Sequence, residues 1–140
     1  MEPLVVSGKL DSLSAIAQYV LAAASAAGLD KKAGYKLRLA IDEVATNIVM
    51  HGYDEAGLEG DITIKAEISP QRLTISLEDR AIPYDPTCHQ EPDCLDLPLQ
   101  ERQIGGLGVF LALDGVDQFD YEFIGGCNRN IFTINLGAST

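Results

Sequence analysis

Apolar residues in the first third of the chain recur at helical spacing. Leu13, Ile16, Ala17, Val20, Leu21 and Ala24 are separated by steps of one, three or four, behind an Asp11 or Ser12 N-cap and ahead of a stop at Gly28. A second helix is predicted from about Lys31 to Met50, with Leu37, Ile41, Val44, Ala45 and Ile48 as its apolar stripe. Val5 and Val6, inside Pro3–Leu10, suit a short opening strand. The period then changes to two. Ile62, Ile64, Ala66 and Ile68 alternate with Thr63, Lys65 and Glu67, and after a turn at Pro70-Gln71 the alternation resumes at Leu73, Ile75 and Leu77. From Arg80 to about Gly105 no period survives, and Pro83, Pro86, Pro92 and Pro98 mark a long loop. Loops of that length inside a compact domain are usually functional or disordered. An apolar run at Val109–Val116 reads as a third helix. Two closing strands, Phe119–Ile124 and Ile131–Leu136, flank a turn at Gly125-Gly126-Cys127-Asn128. The order β-α-α-β-β-loop-α-β-β predicts one domain over 1–140. Its fold class is a two-layer α/β sandwich, a mostly antiparallel mixed sheet with helices on one face.

Composition narrows the function. The 140 residues carry 10 Lys plus Arg against 21 Asp plus Glu, a net charge of −11, which is the wrong sign for a nucleic-acid binder. The apolar share of 46% supports a core without disulfide staples. No stretch approaches the roughly 20 apolar residues of a membrane span, and Met1-Glu2-Pro3 lacks the pattern of a signal peptide. With three cysteines, an odd number, the expected compartment is the cytoplasm. Cys88, His89, Cys94 and Cys127 contain no CxxC pair, so a structural zinc site is not expected.

Three places carry polar residues that a core does not need. Glu43 and Asn47, four apart on the second helix, share a face about 120° from the apolar stripe, at roughly 100° per residue. That pair alone is equally at home on a solvated surface. Asp79, where a predicted strand gives way to loop, is placed either to accept from a ligand amine or to cap the loop backbone. Gly105-Gly106-Leu107-Gly108 opens the third apolar run, and a glycine-rich turn into a helix suits a phosphate group, though many such clusters are only turns.

The three together, in this order, say more. "DEVATNIVMHGY" (Asp42–Tyr53), "DRAIPYDP" (Asp79–Pro86) and the stretch from "ERQIGGLGVF" to "NIFTINL" resemble the N box and the two glycine boxes of the GHKL ATP-binding domain shared by gyrase and the histidine kinases. They resemble most closely its branch of bacterial anti-sigma-factor serine/threonine kinases. The resemblance covers essentially the whole chain. It implies ATP and Mg²⁺ as cofactors, Asn47 as the metal ligand and Glu43 as the general base. It further implies Asp79 as the acceptor of the adenine amino group, with Ala81 and Pro83 beside it. Gly105, Gly106, Leu107 and Gly108 would face the phosphates, Arg102 would contact them, and about 87–104 would form a lid. The implied partners are a STAS-type anti-sigma-factor antagonist as substrate, a sigma factor, and a second copy of the chain in a homodimer. A protein-sequestering module of the same fold without catalysis is the alternative. One departure bears on that choice: Ala81 stands where family members usually carry Gly. If that position requires positive φ, a Cβ costs about 1–2 kcal/mol; if it requires only close approach to the base, one methyl intrudes. Asp114-Gly115 in the third helix is a second departure.

Overall fold

A computed structural model describes residues 1–54, 56–81 and 116–136 of the chain. Strand β1 (Leu4–Ser7) leads through a single 3₁₀ turn (Leu10–Ser12) into α1 (Leu13–Ala26) and then α2 (Lys31–Asn47). A π turn (Ile48–Asp54) continues α2, and β2 (Asp61–Ile68), β3 (Arg72–Asp79), β4 (Gln118–Ile124) and β5 (Cys127–Asn135) complete the sheet. Strand order is β1-β2-β3-β5-β4, and all four pairings are antiparallel. The expected third helix and lid lie outside the described residues.

Local chemistry accounts for the helix ends. Gly28 adopts φ +85, the N–H of Leu29 bonds the Ala24 carbonyl, and the N–H of Gly28 bonds that of Ser25. This is a Schellman ending, which satisfies carbonyls that α1 leaves open. Asp30 then caps α2, its carboxylate accepting from the Ala33 N–H at 2.8 Å. At the other end of α1 the expected cap differs: Ser12 makes no capping bond, and its hydroxyl lies 3.1 Å from that of Ser7.

The core forms where the two periods meet. Ile16, Val20, Leu37, Ile41 and Val44 from the helices pack on Ile62, Ile64, Leu73, Ile75, Leu77 and Phe132 from the sheet, all but fully buried. The opposite sheet face is polar, with Glu78 bridging Lys65 at 3.5 Å and Arg129 at 3.2 Å. Such half-exposed pairs contribute little stability, but they mark the face that helices do not cover.

The final hairpin departs from the sequence expectation. Its turn is only Gly125-Gly126, both at positive φ (+63 and +78), and Ile124 pairs with Cys127. Two left-handed residues in a two-residue loop match the twist of the flanking strands. Cys127 and Asn128 therefore belong to β5, which begins four residues earlier than its apolar pattern indicated.

Tyr53 ties the π turn to the sheet. Its ring is buried, its hydroxyl donates to the Asp61 carbonyl at 2.8 Å, and it accepts from the Arg80 N–H at 3.1 Å. Gly8 and Gly60 close over the ring: a Cβ on either would approach it to 2.5 and 2.8 Å. Tyr53→Phe keeps the ring and strands both backbone groups, so we expect about 1–3 kcal/mol of lost stability, read as a lower urea midpoint. An unchanged midpoint would show that water replaces the hydroxyl at no cost.

Candidate functional site

Helix α2 ends at Asn47, and the wider π turn begins at the next residue. Single-turn π insertions are frequent at functional sites because they redirect the side chains around them. Asn47 is only 7% exposed and Glu43, one turn earlier, is half-buried. The pair is thus not the freely solvated surface that its spacing alone allowed. Around it, Thr46 bonds the Asp42 carbonyl at 2.7 Å, and Asp42 pairs with Arg38 at 3.2 Å. Burial pushes the Asp42 carboxyl above its usual range, and Arg38 offsets part of that rise.

Asp79 closes β3 on the helix-facing side of the sheet, between Ile62 of β2 and Asn128 of β5. It is 3% exposed. Its Oδ1 accepts from the Ala81 N–H at 3.0 Å and from Asn128 Nδ2 at 2.9 Å. Its Oδ2 is buried with no hydrogen-bond partner among the described residues. A buried carboxylate oxygen left so is costly and calls for a donor. An exocyclic amine of a ligand supplies one, so the residues present fit an adenine base at this point. Burial raises the Asp79 pKa, while the bonds from Asn128 and Ala81 pull it back.

For Ala81, the first of the two costs considered above is answered. Among the described residues no non-glycine takes a positive φ, so the strain considered above does not arise. Its methyl group packs on Gly52 of the π turn, where an added Cβ would lie 2.8 Å from it. The methyl fills space that a bare Gly52 leaves open. Pro83, Arg102, Gly105, Gly106, Leu107 and Gly108 fall outside the described residues, as do Cys88, Cys94 and the Asp114-Gly115 pair. Among the described residues no cluster of three metal-ligating side chains occurs, and no helix is long and apolar enough to cross a membrane.

Asn128 and Tyr121 were not anticipated. Asn128 also donates to the Ala81 carbonyl at 3.0 Å, and its Oδ1 accepts from the Tyr121 hydroxyl. Starting β5 at the end of a two-residue Gly-Gly turn puts 128, 130, 132 and 134 on one face. That alternation would have revealed two asparagines on a core face.

A separate groove of about 540 Å³ lies between the β1–α1 link, the π turn and the turn before β2, lined by Lys9, Leu10, Met50, Asp54, Leu58 and Glu59 among others. Glu43, Asn47, Asp79 and Ala81 are not part of its wall. The chemistry of the site lies with the buried carboxylate.

The described residues thus form an antiparallel sheet under two helices, with a buried asparagine at a helix end and a buried, half-satisfied aspartate at a strand end. The chain belongs to the histidine kinase-like ATPase domain family, whose sequence profile matches residues 6–133. It is similar to the serine-protein kinase RsbW of Listeria innocua, 33% identical over 91 residues that cover 63% of this chain and 57% of the relative. It is also similar to RsbW of Bacillus licheniformis, 25% identical over 108 residues, covering 71% and 67%. The chain thus aligns with a little over half the length of the Listeria relative. Among solved structures, the histidine kinase domain of a blue-light activated kinase from Erythrobacter litoralis superposes with a TM-score of 0.57 at 18% identity, covering 90% of this chain and 60% of that one. The Acinetobacter baumannii histidine kinase AdeS gives 0.53 at 12%, covering 98% and 70%. Identities this low establish the fold alone.

Two outcomes follow. Gly52→Ala should cost about 1–3 kcal/mol through overpacking on Ala81, and Gly52→Ala/Ala81→Gly should recover most of it; additive losses in a double-mutant cycle would refute the contact. Asp79→Asn keeps the Oδ1 acceptor and removes a buried charge. A raised folded pKa means that the ionised form destabilises the fold. That penalty is absent below the ordinary value near 3.8 and grows as pH rises through the folded value. Ligand-free Asp79→Asn should therefore be more stable than wild type at neutral pH, with the gain vanishing below about pH 4. Equal unfolding curves at both pH values would contradict this.

Proposed function

We propose that this domain binds Mg-ATP and acts as a protein serine/threonine kinase of the anti-sigma-factor type, with a STAS-type antagonist as its substrate. The observation that supports the reading most is the Oδ2 of Asp79, a buried acceptor without a partner among the described residues. In this reading Asp79 accepts from the adenine amine, and the Asn47 amide oxygen holds the metal, a hard ligand suited to Mg²⁺. Mg-ATP supplies the transferable phosphoryl group, with the metal offsetting phosphate charge. Glu43, one turn before Asn47, would take the proton of the acceptor hydroxyl as the hydroxyl oxygen bonds to the γ-phosphorus and the bond from that phosphorus to the departing ADP breaks. The family resemblance assigns Pro83, Arg102, Gly105, Gly106, Leu107 and Gly108 to the same site and a lid to about 87–104; all of them lie outside the described residues. Cytoplasmic location, sigma-factor binding and homodimer formation belong to the same proposal. Val5 on the edge strand and Leu21 on α1 are exposed apolar residues available to a second copy.

The alternative, a sequestering module without catalysis, drew its support from Ala81. The absence of positive φ at that residue removes the strain argument, and the titration below separates the two readings.

Calorimetric titration with ATP, with and without Mg²⁺, tests the binding half. Transfer from labelled ATP to a STAS-type protein, with acid-stable product, tests the kinase half. Glu43→Ala should slow transfer about 100- to 10,000-fold with nucleotide affinity retained. Asn47→Ala should remove the Mg²⁺ dependence of binding. Normal transfer by Glu43→Ala would reassign the base, and acid-labile product would point to phosphohistidine chemistry instead.

A further inference from the structure

Asp79 is held from one side by a network that starts two strands away. In the β3–β5 register Asn128 lies directly opposite Asp79. Its Nδ2 donates one hydrogen to Asp79 Oδ1 and the other to the Ala81 carbonyl. Neither of those acceptors carries a proton of its own while Asp79 is ionised, so both require the amide nitrogen on their side. The amide oxygen then faces β4, where the Tyr121 hydroxyl donates to it. Asn128 is 2% exposed, and its orientation is thereby determined. The chain Tyr121–Asn128–Asp79 terminates at Oδ2, which has no partner among the described residues.

We propose that Asn128, supported by Tyr121, is a positioning residue for base selection: it holds Asp79 with Oδ2 as a pure acceptor, so that the site takes 6-amino purines and rejects 6-oxo purines. This rests on the nucleotide-binding reading above and adds the residues that set its selectivity. A 6-amino group donates to Oδ2. A 6-oxo group presents a second acceptor and leaves two oxygens opposed in a buried site. Without Asn128, Oδ1 keeps only the Ala81 N–H, and the carboxyl is free to rotate. It then also takes up a proton more readily, because burial already favours its neutral form. A neutral carboxyl donates to a 6-oxo group, and the discrimination is lost.

The test is calorimetric titration of the full chain with Mg-ATP and with Mg-ITP, whose bases differ in the 6-substituent and its neighbouring ring proton. Wild type, Asn128→Ala, Tyr121→Phe and Asp79→Asn are compared, each with a thermal unfolding curve. Wild type should prefer ATP by about 100-fold or more, as sites built around a ligand hydrogen bond do. In Asn128→Ala the preference should fall to about 5-fold or less, with Tyr121→Phe between, and Asp79→Asn should invert it. A purely structural role would lower the melting temperature and weaken both nucleotides by one common factor. An unchanged ATP/ITP ratio in folded Asn128→Ala therefore overturns the inference and leaves the nucleotide reading standing. If Asn128→Ala does not fold, Tyr121→Phe on the edge strand decides by the same ratio. Wild type binding neither nucleotide, or Asp79→Asn leaving the preference untouched, overturns the nucleotide reading and this inference with it.

Discussion

A carboxylate buried at the end of a central strand constrains much of this domain. Removing an ionised group from water is expensive, and the expense is bearable only where fixed donors meet it. Asp79 has two such donors, the Ala81 N–H just beyond β3 and the Asn128 amide across the β3–β5 ladder. The second depends on register. A slip of one residue between β3 and β5 would turn the 128 side chain to the opposite face and leave Asp79 with half its support. The same slip would expose Phe132 and Ile134, which pair with Ile75 and Leu73. The apolar half of β5 therefore enforces the geometry that its polar half uses.

The link between the helix side and the strand side of the site is Tyr53. Asn47 lies on a helix and Asp79 on a strand, with no direct bond between them among those described. Tyr53 joins the turn that follows Asn47 to Arg80, the residue that follows Asp79, and to Asp61 at the start of β2. Gly8 and Gly60 admit its ring, and Gly52 admits the Ala81 methyl. Glycine is used here for closeness: at these three positions an added Cβ collides with a neighbour, whereas the positive-φ glycines meet open space. The spacing between the Asn47 end and the Asp79 end is thus set by packing.

How much of this was legible follows from the range of each signal. The helices and β2–β3 carry periods of several residues, and those elements were readable. Asn47, Glu43 and Asp79 were recognisable through order and spacing, although each alone suited ordinary surface or turn. The π turn was not readable, because Ile48, Val49, Gly52 and Tyr53 continue an apolar pattern that an α-helix also satisfies. Asn128 was hidden for a different reason. Asparagine after two glycines reads as turn, and only the φ values of Gly125 and Gly126 show that the turn ends before Cys127. Whether Ala81 is strained is a question of one dihedral angle, on which the sequence is silent.

The arrangement also bears on how a domain of this size could act on a protein. Glu43 and Asn47 are one helical turn apart, so a base and a metal ligand on these residues lie within about 5–6 Å at the Cβ positions. An acceptor hydroxyl reaching both must enter along α2. Tyr35 and Leu39, two turns and one turn before Glu43, are exposed there, beside the Arg38–Asp42 pair. On the kinase reading, a substrate that delivers its serine to Glu43 therefore passes over an apolar and charged strip on the same helix. The sheet's other face carries the Lys65–Glu78–Arg129 ladder and belongs to solvent. The helix that bears the reactive side chains would then also bear the recognition surface, so transfer and docking would share one rigid element.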